Sequence, residues 1–209
     1  MAIKDYILEG SEWSQADDIG KLTPEVSGGY CRALVIYWLN DVNTNHKVTV
    51  TENFRSLIKS HAGNLKGIAQ SQADTSKVGD LNGLDMVTVH LMQVSQGALS
   101  VNTAAANVTW FSTGAGSPGS AVRNALNQSA KSMCIVHLEW DGWFGTSIGS
   151  GAHAIGAVSE PGGSAGLTYT VFDPNYGILR AYGTVGIDAL MLDIQKDYSA
   201  SRLMAMPLM

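Results

Sequence analysis

Cysteine is scarce in this chain, with two among 209 residues, which excludes a disulfide framework. Basic residues are few as well. Thirteen Lys and Arg stand against eighteen Asp and Glu, a net charge of −5. That balance gives no electrostatic footprint for nucleic acid or an anionic membrane. No basic run and no aromatic-basic RNA motif occurs. The longest apolar run, Ala33 to Leu39, is far too short to span a bilayer, and no N-terminal segment resembles a secretory signal. HExxH and CxxC are absent, and His46, His61, His90 and His137 make no metal-ligand spacing with Cys134 or with carboxylates. The expectations are a reducing compartment, with secretion by a route that leaves no cleavable signal still open. No nucleic-acid partner, membrane segment or metal is expected. The 45% apolar content and the length suit a single domain over residues 1–209 with a sizeable core.

Glycine, by contrast, is abundant at 23, with many between residues 142 and 186, which reads as tight turns between strands. Two more open the most informative stretch, Ser27-Gly28-Gly29-Tyr30-Cys31. Cys31, Leu34, Val35, Trp38 and Leu39 then recur at the period of a helix with one buried face. The glycines cannot extend that helix comfortably, so it begins near Cys31 and is expected to end near Asn40. A cysteine in the first turn sits at the positive end of the helix dipole, which favours thiolate. A placed thiol needs a base, and the base an orienting group. His153 opens the apolar run 152–158, and Asp173 ends another at 171–173. The two runs read as antiparallel strands joined by a loop at 160–164, able to bring His153 and Asp173 face to face.

At these residues the chain resembles the YopT/AvrPphB-type cysteine peptidases, a papain-like family of bacterial effector proteases. The matching pieces are Gly29-x-Cys31-x-x-Leu34, His153-Ala154, and Phe172-Asp173-Pro174-Asn175-Tyr176-Gly177. The resemblance implies Cys31 as nucleophile, His153 as general base and acid, Asp173 as orienter, and a papain-like α+β fold. Such enzymes also place an amide side chain shortly before the cysteine as an oxyanion donor. Residues 23–30 hold neither Asn nor Gln, which leaves Gln15 and Ser27 as candidates.

Elsewhere the patterning predicts helices around 13–19, over 48–70, over 83–95, over 119–131 behind Ser117-Pro118, and over 188–195. Strands are expected at 133–140, 153–159, 167–173 and 178–184, and residues 98–116 stay unassigned. Helices first and strands later argue for α+β, an N-terminal helical part packed on a C-terminal antiparallel sheet. Cys134 reads as a small apolar residue of a core strand, although a bridge to Cys31 is open in principle. Trp140 and Trp143 read as core or turn flanks, with Trp143 and Phe144 as alternative walls of a substrate groove. Gly149-Ser150-Gly151 leads into a strand rather than a helix, so it is no phosphate cradle.

The reading is a cysteine protease acting on a protein or peptide through a thioester acyl-enzyme, with no metal or organic cofactor required. The family resemblance extends this to a bacterial effector cutting a host protein. An acyltransferase of transglutaminase or deamidase type would use the same triad. A non-catalytic binding module on the same scaffold is a further alternative. Oligomeric state stays open.

Overall fold

The computed structural model describes residues 2–14, 30–45, 65–76, 83–105, 107–110, 117–140, 151–162 and 166–209. Seven strands among them form one antiparallel sheet: β1 (Ile7–Glu12), β2 (Asn107–Trp110), β3 (Met133–Trp140), β4 (Gly151–Pro161), β5 (Leu167–Asp173), β6 (Gly177–Tyr182) and β7 (Arg202–Pro207). Their spatial order is β1-β6-β5-β4-β3-β7-β2. Five α-helices among the described residues accompany them: α1 (Cys31–Thr44), α2 (Leu65–Ser76), α3 (Gly83–Ser95), α4 (Pro118–Gln128) and α5 (Gly183–Asp197).

The sheet is buried on both faces, and strand alternation sorts its side chains. Met133 and Ile135 of β3 with Ala154 and Val158 of β4 join the core beneath α1, α2 and α3. Cys134, Val136 and Leu138 with Ile155 and Ala157 join a second core beneath α4 and α5. Cys134 therefore lies on the face opposite α1, both cysteines are free, and no Cys31–Cys134 bridge exists.

The α+β class expected from the sequence holds, and helices cover both faces of the sheet. Helix α1 is the central element of its layer. Ala33 and Ile36 are buried along with Leu34, Val35, Trp38 and Leu39, because α2 and α3 cover the side turned away from the sheet. It runs to Thr44, a turn beyond the expected Asn40. Trp38 rests on Phe172 of β5 with ring centroids 5.5 Å apart and over Gly156 of β4. A methyl added at Gly156 would meet the Trp38 ring at 2.8 Å, so the absent side chain sets how closely α1 approaches the sheet.

Helix α3 and strands β3 and β5 fall where the patterning puts them. Ser117 caps α4 by accepting from the Ser120 N–H, with Pro118 in the first turn, though the helix stops at Gln128 rather than Lys131. Helix α5 is longer than the expected 188–195. Helix α2 runs on to Ser76, past the expected end at Gln70. The remainder of that expected helix, residues 48–64, lies outside the described residues, as do His46 and His61. Most of the short helix expected near 13–19 does too.

Strands β1 and β7 were not expected. Arg202-Leu-Met-Ala-Met-Pro carries no β-branched residue, but it lies between β3 and β2 and pairs with both. Pairing on both sides overrides its weak intrinsic preference. Strand β1 contains Gly10 at φ 74 and pairs with β6 through a register shift, which hides its alternation.

His90 on α3 is fully buried and its Nε2 lies 3.0 Å from the Ser71 hydroxyl of α2. Burial, then the charge of Arg32, pushes it down to about 4. His137 on β3 is lowered to about 4 by burial first and then by Arg32, Arg202 and His153. Both stay neutral in the folded chain until that pH, whereas an unfolded histidine charges near 6.5. Between those values the unfolded chain binds more protons, so stability rises with pH. Urea midpoints measured from pH 6.5 down to 4.5, above the carboxylate range, are expected to fall steadily. A flat profile across that window would remove the buried neutral histidines as its cause.

Candidate active site

The site is assembled from α1, β4 and the β5–β6 turn. Four N–H groups at a helix start lack intrahelical partners, and two of those in α1 find partners beside the site. The Ala33 N–H donates to Gln72 Oε1 of α2 at 3.0 Å. The Arg32 N–H donates to the Cys31 sulfur, as does the Ala154 N–H of β4. Arg32 itself is buried and hydrogen-bonds the Gln72 carbonyl at 3.2 Å, which places its charge close to the thiol.

His153 is 3% exposed and Asp173 fully buried. Asp173 Oδ1 accepts from His153 Nε2 at 2.8 Å. With Nε2 committed to the carboxylate, Nδ1 is the ring nitrogen left for the hydrogen bond to Cys31. Burial pushes the Cys31 thiol up. The hydrogen bond and charge of His153, with the Ala154 and Arg32 N–H groups, outweigh it and bring the thiol below its ordinary value. For His153, burial alone would lower the imidazole. The Asp173 carboxylate and then Cys31 reverse that and lift it to about 10. Each partner stabilises the charged form of the other, the condition for a thiolate–imidazolium pair. Cys134, which has burial alone acting on it, is raised instead.

The string Phe172 to Gly177 is a tight turn in which each position has a distinct task. Phe172 packs on Trp38. The Asp173 carbonyl accepts from the Tyr176 N–H at 3.0 Å, closing a turn with Pro174 and Asn175 in its central places. The Asp173 carboxylate also accepts the Asn175 N–H at 2.9 Å, the local bond that favours Asp at turn starts. Turn-former and imidazole partner are thus one residue. Gly177 takes φ 95, and a side chain there would run into the Ser11 carbonyl of β1.

Tyr198, just after α5, is the residue that patterning missed. Its hydroxyl lies 3.0 and 3.1 Å from the two Asp173 oxygens, accepts from Asn175 Nδ2 at 2.9 Å, and stands 3.2 Å from His153 Nε2. Its ring stacks on the imidazole at 4.6 Å and on Trp140 at 6.0 Å. Nothing in the local sequence marks it, because a tyrosine at a helix end is an ordinary surface residue. Gln15, Ser27, Trp143 and Phe144 all lie outside the described residues.

No protein-family model matches the chain, and no curated protein matches it. Among solved structures, the crystal structure of the Pseudomonas avirulence protein AvrPphB is similar over 93% of this chain and 99% of its own, with a TM-score of 0.60 and 14% sequence identity. At that identity the likeness carries the fold. The chain has the α+β fold of AvrPphB, a namesake of the peptidase family that its three motif blocks resemble.

Proposed function

We propose that the chain is a papain-like cysteine peptidase, residues 1–209 acting as one catalytic unit. The observation that carries the reading is the linked set Cys31–His153–Asp173, with the thiol lowered and the imidazole raised. His153 Nδ1 takes the Cys31 proton, and the thiolate attacks a peptide carbonyl. The oxyanion is held by the Cys31 N–H and by a donor from the segment before it, where Gln15 and Ser27 stand. The imidazolium protonates the leaving amine, leaving a thioester on Cys31. His153 then deprotonates a water, which attacks the thioester and restores the thiol. The fold shared with an avirulence protein supports a protein substrate, in the manner of an effector acting on a host.

The test is incubation of the chain, and of Cys31→Ala, with a proteome digest followed by mass spectrometry of new termini. New N-termini that require Cys31 support the peptidase. Amine-adducted or deamidated glutamines without cleavage would replace it by the acyltransferase. Neither product would leave the scaffold without this chemistry. If cleavage occurs, kcat/KM is expected to decline on the alkaline side near pH 10, where the imidazolium loses its proton. Activity still rising beyond that pH would contradict the ion-pair assignment.

A further inference from the structure

We propose that Tyr198 is a positioning residue of this site: its ring fixes the plane of the His153 imidazole and its hydroxyl shares the Asp173 carboxylate with it. The inference rests on the peptidase reading for its functional meaning, but its geometry stands independently.

Proton counting fixes the roles. His153 Nε2 has one proton and Tyr198 one hydroxyl proton. The Asp173 carboxylate accepts at 2.8 Å from the first and at 3.0 and 3.1 Å from the second. The Tyr198 oxygen in turn accepts from Asn175 Nδ2. The 3.2 Å approach of hydroxyl to Nε2 is therefore two donors side by side on one acceptor. Asn175 holds the tyrosine, the tyrosine holds the carboxylate, and the carboxylate holds the imidazole in the tautomer whose Nδ1 faces Cys31. The ring face lies at 22° to the imidazole and at 24° to Trp140, and is edged by Tyr176 at 82°. That stack covers one side of the His153–Asp173 bond against water.

Hydroxyl and ring have separable effects. The hydroxyl draws carboxylate charge away from the imidazole. Without it Asp173 holds the imidazolium more tightly, so the thiolate forms at lower pH while proton return to the leaving group slows. Without the ring the imidazole gains rotational freedom and a wet face, so the pair weakens and the thiolate forms at higher pH. The other groups facing the imidazole are Cys31 from α1 and His137 from β3. Behind Tyr198 stand Tyr176 from the turn and Asp197 from α5, which hydrogen-bond one another.

The experiment compares wild type, Tyr198→Phe and Tyr198→Ala by the pH dependence of iodoacetamide alkylation at Cys31, with kcat/KM on any cleaved substrate. Tyr198→Phe is expected to move the alkylation midpoint down and lower kcat/KM about tenfold. Tyr198→Ala is expected to move the midpoint up and lower kcat/KM roughly a hundredfold. A residue that merely fills space would leave the midpoint alone. Midpoints in folded Tyr198→Phe and Tyr198→Ala that superimpose on wild type overturn the proposal, as does a Tyr198→Phe midpoint displaced upward. If Tyr198→Ala does not fold, the single-oxygen change in Tyr198→Phe decides. Midpoints that move as expected in a chain that cleaves nothing sustain the positioning role and sink the peptidase reading.

Discussion

With His153 replaced by Ala, turnover is expected to fall by about 10⁵–10⁶-fold, and the pH at which Cys31 alkylates is expected to rise. Burial is the largest influence on this thiol and pushes it up. In the native chain the imidazole reverses it by hydrogen bond and charge. Once His153 is gone, only the Ala154 and Arg32 N–H groups oppose burial, so the sulfur titrates well above its native value. The fold should survive, because the Asp173 carboxylate keeps the Asn175 N–H and the Tyr198 hydroxyl as donors. Cys134 provides an internal control: it is fully buried on the other face and should resist alkylation in both proteins. The readout is mass spectrometry of each cysteine after timed iodoacetamide exposure across pH. A Cys31 profile identical in wild type and His153→Ala would end the reading of an activated thiol.

A stability effect of comparable weight is expected where α1 meets β4. Trp38→Ala removes a fully buried ring that rests on Phe172 and over Gly156 and should cost about 3–5 kcal/mol. Gly156→Ala forces a methyl against that ring and against Val35, and should cost about 1–3 kcal/mol. In the double variant the methyl enters the space that the ring left. The combined cost should therefore fall short of the sum by about 1 kcal/mol or more. Urea midpoints of the four proteins measure this, and simple additivity would refute the contact as the source of both effects. Chemistry should suffer as well. Trp38 lies on the helix that begins with Cys31, and Gly156 lies three residues from His153. A displacement of about 1 Å between helix and strand costs on the order of a hundredfold in rate.

The parts of this molecule that could be read in advance are those whose signal is local. The period of α1, the Ser117-Pro118 start of α4 and the apolar runs of β3 and β5 are each dictated by neighbours in sequence. The residues to be joined at the site were legible too, since Cys31 stands at a helix start and Asp173 at a turn start. What could not be read depends on partners far along the chain. Strand β7 becomes a strand because β3 and β2 flank it, and nothing in Leu203-Met204-Ala205-Met206 announces that. Tyr198 acquires its place because α5 ends beside the β5–β6 turn. The stripe predicted for α1 was too narrow because α2 and α3 close over it, a fact that belongs to packing. Gly156 reads in sequence as a flaw in a strand, and only the Trp38 ring above it explains the missing side chain.

The double duty of Asp173 has a consequence for variants made at this site. Groups held for chemistry commonly work against the fold, and replacing them often leaves a sturdier, inactive protein. That trade-off is not expected at Asp173. Its carboxylate secures the turn through Asn175, receives Tyr198 and holds His153, so Asp173→Ala should give a chain both weaker and inert. An inactive protein that keeps most of its native thermal resistance, of the kind needed to trap an intact substrate, is better made at Cys31, whose sulfur takes no part in the β5–β6 turn and receives only the Ala154 and Arg32 N–H groups and His153.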